Sequence, residues 1–92
     1  MEFEWDPQKE AANVAKHGVS FEEAATVFGD PLGRIVTDPR HSAAEYRYVL
    51  MGRSQNNRLL AVMFTDCASV IRIISARLVT RSERRDYEEN AE

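Results

Sequence analysis

The sequence predicts an α+β fold: a small antiparallel sheet of three to four strands, packed by an N-terminal helical hairpin, with a helix at the C-terminus. Three observations predict it. Two helix-start signals stand early, at Asp6-Pro7 and at Ser20-Phe21. Strand-length apolar runs then follow, separated by short polar turns. A third helix start, Thr80-Arg81-Ser82-Glu83, lies near the end. Helices and strands are segregated along the chain rather than alternating, which favours an antiparallel sheet with helices on one face.

Each element has a local cause. Residues 2–5 alternate polar and aromatic, which suits a short strand. Asp6 can cap exposed N–H groups, and Pro7 fits the first helical position, where its missing N–H costs nothing. The helix should span 7–17, with Ala11, Val14, Ala15 and Gly18 near i, i+3, i+4, i+7 spacing and Gly18 as its left-handed stop. Ser20-Phe21-Glu22-Glu23 reads as a capping box, with the Glu23 carboxylate reaching back to the serine N–H. The second helix should span 21–28, where Phe21, Ala24, Ala25 and Phe28 make one apolar stripe. Gly29-Asp30-Pro31 ends it.

The period then changes. Ile35 and Val36 suggest one extra short strand, and 37–42 reads as loop. Runs 46–53, 59–65 and 70–77 have strand length, with turns at 55–57 and 66–69. Run 59–65 is apolar on both parities, as a central strand covered on both faces should be. The last helix should span 81–89.

Composition bounds the function. A chain of 92 residues predicts one domain, 1–92, with room for one small core. A hydrophobic fraction of 43% with 29% charged residues is ordinary for a globular domain, not for a disordered one. The single cysteine, Cys67, excludes an internal disulfide framework. His17 and His41 stand far apart with no second cysteine, so no metal-ligand spacing is present and no cofactor is expected. No run approaches ~20 apolar residues, and the acidic start is unlike a signal peptide, so a cytoplasmic protein with no membrane partner is expected.

The charge is uneven. Residues 1–45 hold nine acids and four bases, whereas 46–85 hold eight arginines, no lysine and two acids. Residues 86–92 hold four acids and no base. Arginine presents a planar fork suited to phosphate or carboxylate, so the middle of the chain is a candidate anion surface. Strand alternation places Arg47, Val49, Met51 and Arg53 on one face, and Tyr46, Tyr48 and Leu50 on the other. The same alternation sets Arg72 and Arg77 on opposite faces unless a bulge intervenes. A charge in so apolar a strand must be paired or open to a cleft. A carboxylate such as Asp6 or Glu45 could pair with Arg72. Arg84 with Glu88, and Arg85 with Glu89, have the i, i+4 spacing of self-paired helix charges.

Trp5-Asp6, Lys9, Asn13, Lys16-His17-Gly18-Val19-Ser20-Phe21-Glu22-Glu23-Ala24 and Val27-Phe28-Gly29-Asp30-Pro31 resemble the opening of the BrnT-type toxin family. Gly52-Arg53-Ser54 with Arg58-Leu59-Leu60, and Arg72-Ile73-Ile74-Ser75-Ala76-Arg77 with Thr80, Glu83-Arg84 and Tyr87-Glu88, look like its middle and end blocks. The resemblance covers about residues 3–89. Val79 stands where alanine is expected.

The resemblance implies a bacterial type II toxin with a RelE-like fold: a metal-independent endoribonuclease that cleaves RNA by 2′-OH attack and inhibits translation. It implies a cognate DNA-binding antitoxin that neutralises the toxin, with operator DNA reached only through that antitoxin. The 2′-OH is a nucleophile that RNA itself supplies. The protein must then provide a base, cations for the phosphorane and an acid for the leaving oxygen. The expected catalytic set is Lys16 or His17 for proton transfer, with Arg53 and Arg77 as cations. Arg47, Tyr48, Arg72 and Arg81 are expected to bind RNA. Glu45 and Tyr48 form an alternative base and acid, and Tyr46 or Tyr48 could stack on a base. Two other functions fit the same features: a non-catalytic partner module of a DNA-binding regulator, and a simple nucleic-acid-binding domain.

Overall fold

The computed structural model describes residues 1–37 and 47–89. Strand β1 (Glu2–Glu4) leads into helix α1 (Pro7–His17) and helix α2 (Phe21–Thr26), which a 3₁₀ turn at Val27–Gly29 prolongs. Strands β2 (Arg34–Thr37), β3 (Tyr48–Arg53), β4 (Leu59–Cys67) and β5 (Val70–Leu78) follow, and helix α3 (Arg81–Glu89) closes the chain. The strands form one five-stranded sheet in the order β1-β5-β4-β3-β2.

The α+β expectation holds, with two corrections to the sheet. It has five strands, because both short candidates, at 2–5 and near 35, join it. It is also mixed: β1 runs parallel to β5, while the other pairings are antiparallel. The two helices between β1 and the rest of the sheet supply the long crossover that a parallel pairing requires.

The predicted caps form. Asp6 accepts the Gln8 N–H at 2.8 Å, and Gly18 adopts φ 70°, the left-handed stop. Ser20 accepts the Glu23 N–H at 3.0 Å. The reciprocal half of that box is replaced, because the Glu23 carboxylate turns to Arg58 and Ser54 instead.

Helix α1 departs from its predicted apolar stripe. Ala11 and Ala15 are exposed and Val14 is 45% exposed, whereas Asn13 is buried. The reason lies in the sheet edge. β1 pairs only with residues 70–72 of β5, so the backbone beyond has no strand on that side. Asn13 fills the gap. Its amide donates to Ala76 O at 2.8 Å and to Val19 O at 2.9 Å, and its Oδ1 accepts the Ala76 N–H at 3.1 Å. Helix α1 therefore docks by hydrogen bonds along an edge that would otherwise invite another chain.

Helix α2 packs as predicted. Phe21 and Ala24 join Val19 and Val27 in a core completed by Leu50, Leu60, Val62, Phe64, Ile71, Ile73 and Ala76. Phe28 links the layers, with ring centroids 5.1 Å from Phe3 and 5.0 Å from Phe64. Central strand β4 is buried from Leu59 to Val62 on both parities. Part of the far face is covered by α3, which packs against β3 through its buried Tyr87.

Candidate active site

A bulge in β5 decides where the arginines point. Met63 and Phe64 are consecutive on β4, yet they oppose Ser75 and Ile73, so Ile74 is an extra residue. Before the bulge Ile71 and Ile73 face the core; after it, Ala76 does. Arg72 opposite Thr65 and Arg77 opposite Ala61 consequently share the other face. The alternation that set them on opposite faces is thus corrected through the bulge. Arg53 opposite Leu59 lies on that same face, since Gly52 and Leu60 fall on the core parity. Arg47 has the parity of Val49 and joins them.

On this face, a cleft of about 430 Å³ lies between α1 and the sheet. It is lined by Lys9, Arg47, Thr65, Cys67, Arg72 and Ile74. Arg72 donates to Glu4 Oε2 at 2.8 Å, and the two side chains are 49% and 47% exposed. The pair is solvent-screened and exchangeable. Its partner is Glu4 rather than Asp6, and Glu45 lies outside the described residues. No hydrogen bond or ion pair engages Lys9 or Arg47 among the described residues.

Arg77 is held differently. Its two terminal nitrogens donate to both Glu83 oxygens, at 2.8 and 3.0 Å. Glu83 also closes a capping box at the predicted third helix start: its carboxylate accepts the Thr80 N–H, and Thr80 Oγ1 accepts the Glu83 N–H. The Arg77 hydrogen bonds, reinforced by the Thr80 N–H, lower the Glu83 pKa to about 2 despite burial. Arg77 thereby ties β5 to the start of α3.

Arg53 sits beside a third cluster. Its guanidinium carbon lies 6.0 Å from the Tyr87 ring centroid, the reach of a cation–π contact. The Tyr87 hydroxyl donates to Asp30 Oδ2 at 2.7 Å, which also accepts the Arg53 N–H at 2.7 Å. Burial pushes Asp30 up, but these donors and the Leu32 N–H hold it below its ordinary value. Arg53 and Asp30 also line an open hollow of about 320 Å³ with Thr26, Gly29, Ser54 and Gln55.

The remaining expected residues are dispersed. Lys16 is exposed and His17 half-buried in the last turn of α1. Seven residues of helix place Lys16 about 10 Å along the axis from Lys9, on the same stripe as Asn13. Tyr48 lies on the core face, stacked on Phe64 at 5.5 Å, away from the basic cleft. Arg81 is exposed at the start of α3. Glu45, Tyr46, His41 and most of the predicted 37–42 loop lie outside the described residues. Among the described residues, no group of three or more His, Cys, Asp and Glu could hold a metal ion. No helix among them is long and apolar enough to cross a membrane.

Residues 5–83 match the model of a protein family described as "Ribonuclease toxin, BrnT, of type II toxin-antitoxin system". The chain belongs to the BrnT family. It is accordingly a ribonuclease toxin of a type II toxin–antitoxin system, whose members share RNA as substrate and an antitoxin as partner. Its fold is similar to the crystal structure of the Brucella abortus ribonuclease toxin BrnT. The TM-score is 0.67 at 24% identity, over 88% of this chain and 99% of that one. A search of curated proteins found no match.

In the sequence of this BrnT-family chain, Lys9, Asn13, Arg58 and Asp30 stand out only within the family resemblance, with Asp30 also in a helix stop, and carry no expected site role. Arg58 donates to both Glu23 oxygens and to Gly18 O, which clamps the α1–α2 junction to the β3–β4 turn. Those hydrogen bonds, with one from Ser54, hold the Glu23 carboxyl below its ordinary value against its burial. Lys9 carries one available signal, since it falls at i, i−4 from Asn13 and so on the docked stripe of α1.

Proposed function

We propose that this BrnT-family toxin cleaves RNA at the basic cleft of the sheet's open face, without a resident metal ion. The observation that carries the reading is the convergence of Lys9, Arg47 and Arg72 on one cleft. Three cations, from helix α1, strand β5 and the residue just before β3, with one ion pair to a described residue among them, make a phosphate site. The single domain 1–92 supplies the whole site in this reading.

The 2′-oxygen attacks the adjacent phosphorus, and the bond to the 5′ oxygen breaks. A base on the protein takes the 2′-OH proton, and an acid returns one to the leaving oxygen. The products are a 2′,3′-cyclic phosphate and a 5′-hydroxyl end, so the step needs no co-reactant. Arg72 and Lys9 stabilise charge on the phosphorane. The proton-transfer group must lie within hydrogen-bond reach of the phosphodiester held by Arg72 and Lys9, so Lys16 and His17, further along α1, are assigned to the RNA backbone that runs on from Lys9. Arg53 and Arg77 support the site through α3. Arg81, exposed at the start of that helix, extends the path for the RNA backbone.

Cleavage of cellular RNA inhibits translation, and the toxin works in the cytoplasm. A DNA-binding antitoxin neutralises it and alone contacts operator DNA. The test is RNA affinity as a function of salt. Replacing Lys9 or Arg47 by alanine should weaken binding to all sequences alike and reduce the log–log salt slope by about 1 each. Unchanged slopes would remove the cleft from the RNA path.

A further inference from the structure

We propose that Ile74 is the platform for one RNA base, and that the cleft around it is a single-nucleotide specificity subsite. The proposal rests on the reading of this cleft as the RNA site and adds what part of the RNA it selects.

The bulge is the starting point. In a regular ladder the residue after Ile73 would oppose Phe64's neighbour. Here Ile74 has no partner and lines the cleft instead. Bulges are devices that re-aim a side chain, and they recur beside functional sites. The side chain aimed here is apolar and half-buried, and it lines the cleft together with Lys9, Arg47 and Arg72.

An apolar side chain and three cations lining one cleft select a particular chemistry. Free phosphate needs the cations but gains nothing from isoleucine. A purely apolar ligand gains nothing from the cations. A nucleotide has both parts: a flat base that loses water against an apolar surface, and phosphates on its two sides. The Cys67 thiol, exposed at the rim and 3.6 Å from Thr65 Oγ1, offers a polar contact to the base edge. The volume of about 430 Å³ is within the ~300–1,000 Å³ range of small-molecule sites. Arg72 can exchange its exposed Glu4 contact for phosphate.

The test is binding of the four nucleoside 3′-monophosphates and of inorganic phosphate to the full chain, followed by NMR titration. Wild type should bind its preferred nucleotide about tenfold more tightly than phosphate, the scale of burying part of one apolar side chain against the base. Ile74→Ala should erase that advantage and leave phosphate affinity unchanged, while Ile74→Val should keep most of it. Nucleotides that bind no more tightly than phosphate would overturn the proposal, and that comparison needs no variant to fold. An Ile74→Ala protein that keeps the advantage would also overturn it, as would an acidic peptide that displaces every nucleotide. Monophosphates cannot be cleaved, so these outcomes are separate from the cleavage reading, which fails instead if Arg72→Ala cuts RNA at the wild-type rate.

Discussion

Asn13 pairs with both backbone groups of Ala76, as a neighbouring strand would, although it stands on a helix. One amide thus closes the edge of β5 and fixes α1, with Lys9 and Lys16 on the same stripe. Asn13→Ala takes the side-chain partner from one buried N–H, that of Ala76, and from two carbonyls, those of Ala76 and Val19, at a cost of about 1–3 kcal/mol for each group left unsatisfied. Asn13→Asp should be worse than its size suggests, because an oxygen then faces the Val19 and Ala76 carbonyls. Urea unfolding should place both variants well below wild type, with Asn13→Asp the lower wherever its carboxyl is ionised.

The Arg77–Glu83 pair predicts an acid limb in stability. Glu83 titrates at about 2 in the fold, well below the 4.5 of a free glutamate. A lowered carboxylate stabilises the fold above its unfolded value, and that contribution is lost as pH falls towards the folded value. Stability should therefore decline from about pH 4.5 to 2, and Glu83→Gln should flatten part of that decline. Glu23, also lowered, adds to the same limb. Chemical denaturation across that pH range measures it, and a variant with the wild-type slope would contradict the assignment.

Tyr87 is the buried residue by which the polar helix α3 holds to the sheet. Tyr87→Phe removes the hydrogen bond to the ionised Asp30 and should cost about 1.5–3 kcal/mol. Each kcal/mol corresponds to roughly 4–8 °C in Tm for a domain of this size. Tyr87→Ala should also release α3, read as faster amide exchange across 81–89 with the sheet still protected.

Glu4→Gln separates binding from stability. The Glu4–Arg72 pair is exposed, so its loss should change stability by less than about 1 kcal/mol. The freed guanidinium should bind a short RNA severalfold more tightly, most clearly at low salt. A filter-binding titration at two salt concentrations checks both the gain and its screening.

Much of the fold was legible because its signals are local. Asp6-Pro7, Gly18 and Thr80–Glu83 each fix a helix end through neighbouring residues. The bulge at Ile74 was not legible, because nothing in Ile73-Ile74-Ser75 marks which residue loses its partner, and register is settled across β4. That one insertion moved Arg77 to the face of Arg72. Asn13 was hidden for the opposite reason: a polar residue among alanines reads as solvent-facing until the missing strand beside Ala76 is seen. The candidate site was legible as a class of residue, arginine, but not as a place. Lys9 reaches the cleft only because α1 docks on an edge, and Tyr48 leaves it because β3 turns that ring to Phe64.

The central claim is that the Lys9–Arg47–Arg72 cleft cleaves RNA. The most direct measurement is cleavage of a structured RNA in excess EDTA by wild type, Arg72→Ala and Arg77→Ala, each shown folded by circular dichroism. The account predicts cutting by wild type and a rate at least about 100-fold lower for Arg72→Ala, the usual cost of one transition-state donor. Arg77→Ala should lose stability first and retain more of the rate. Full activity in Arg72→Ala, with activity abolished in a folded Arg77→Ala, would contradict it and move the centre to the Arg77 end of β5.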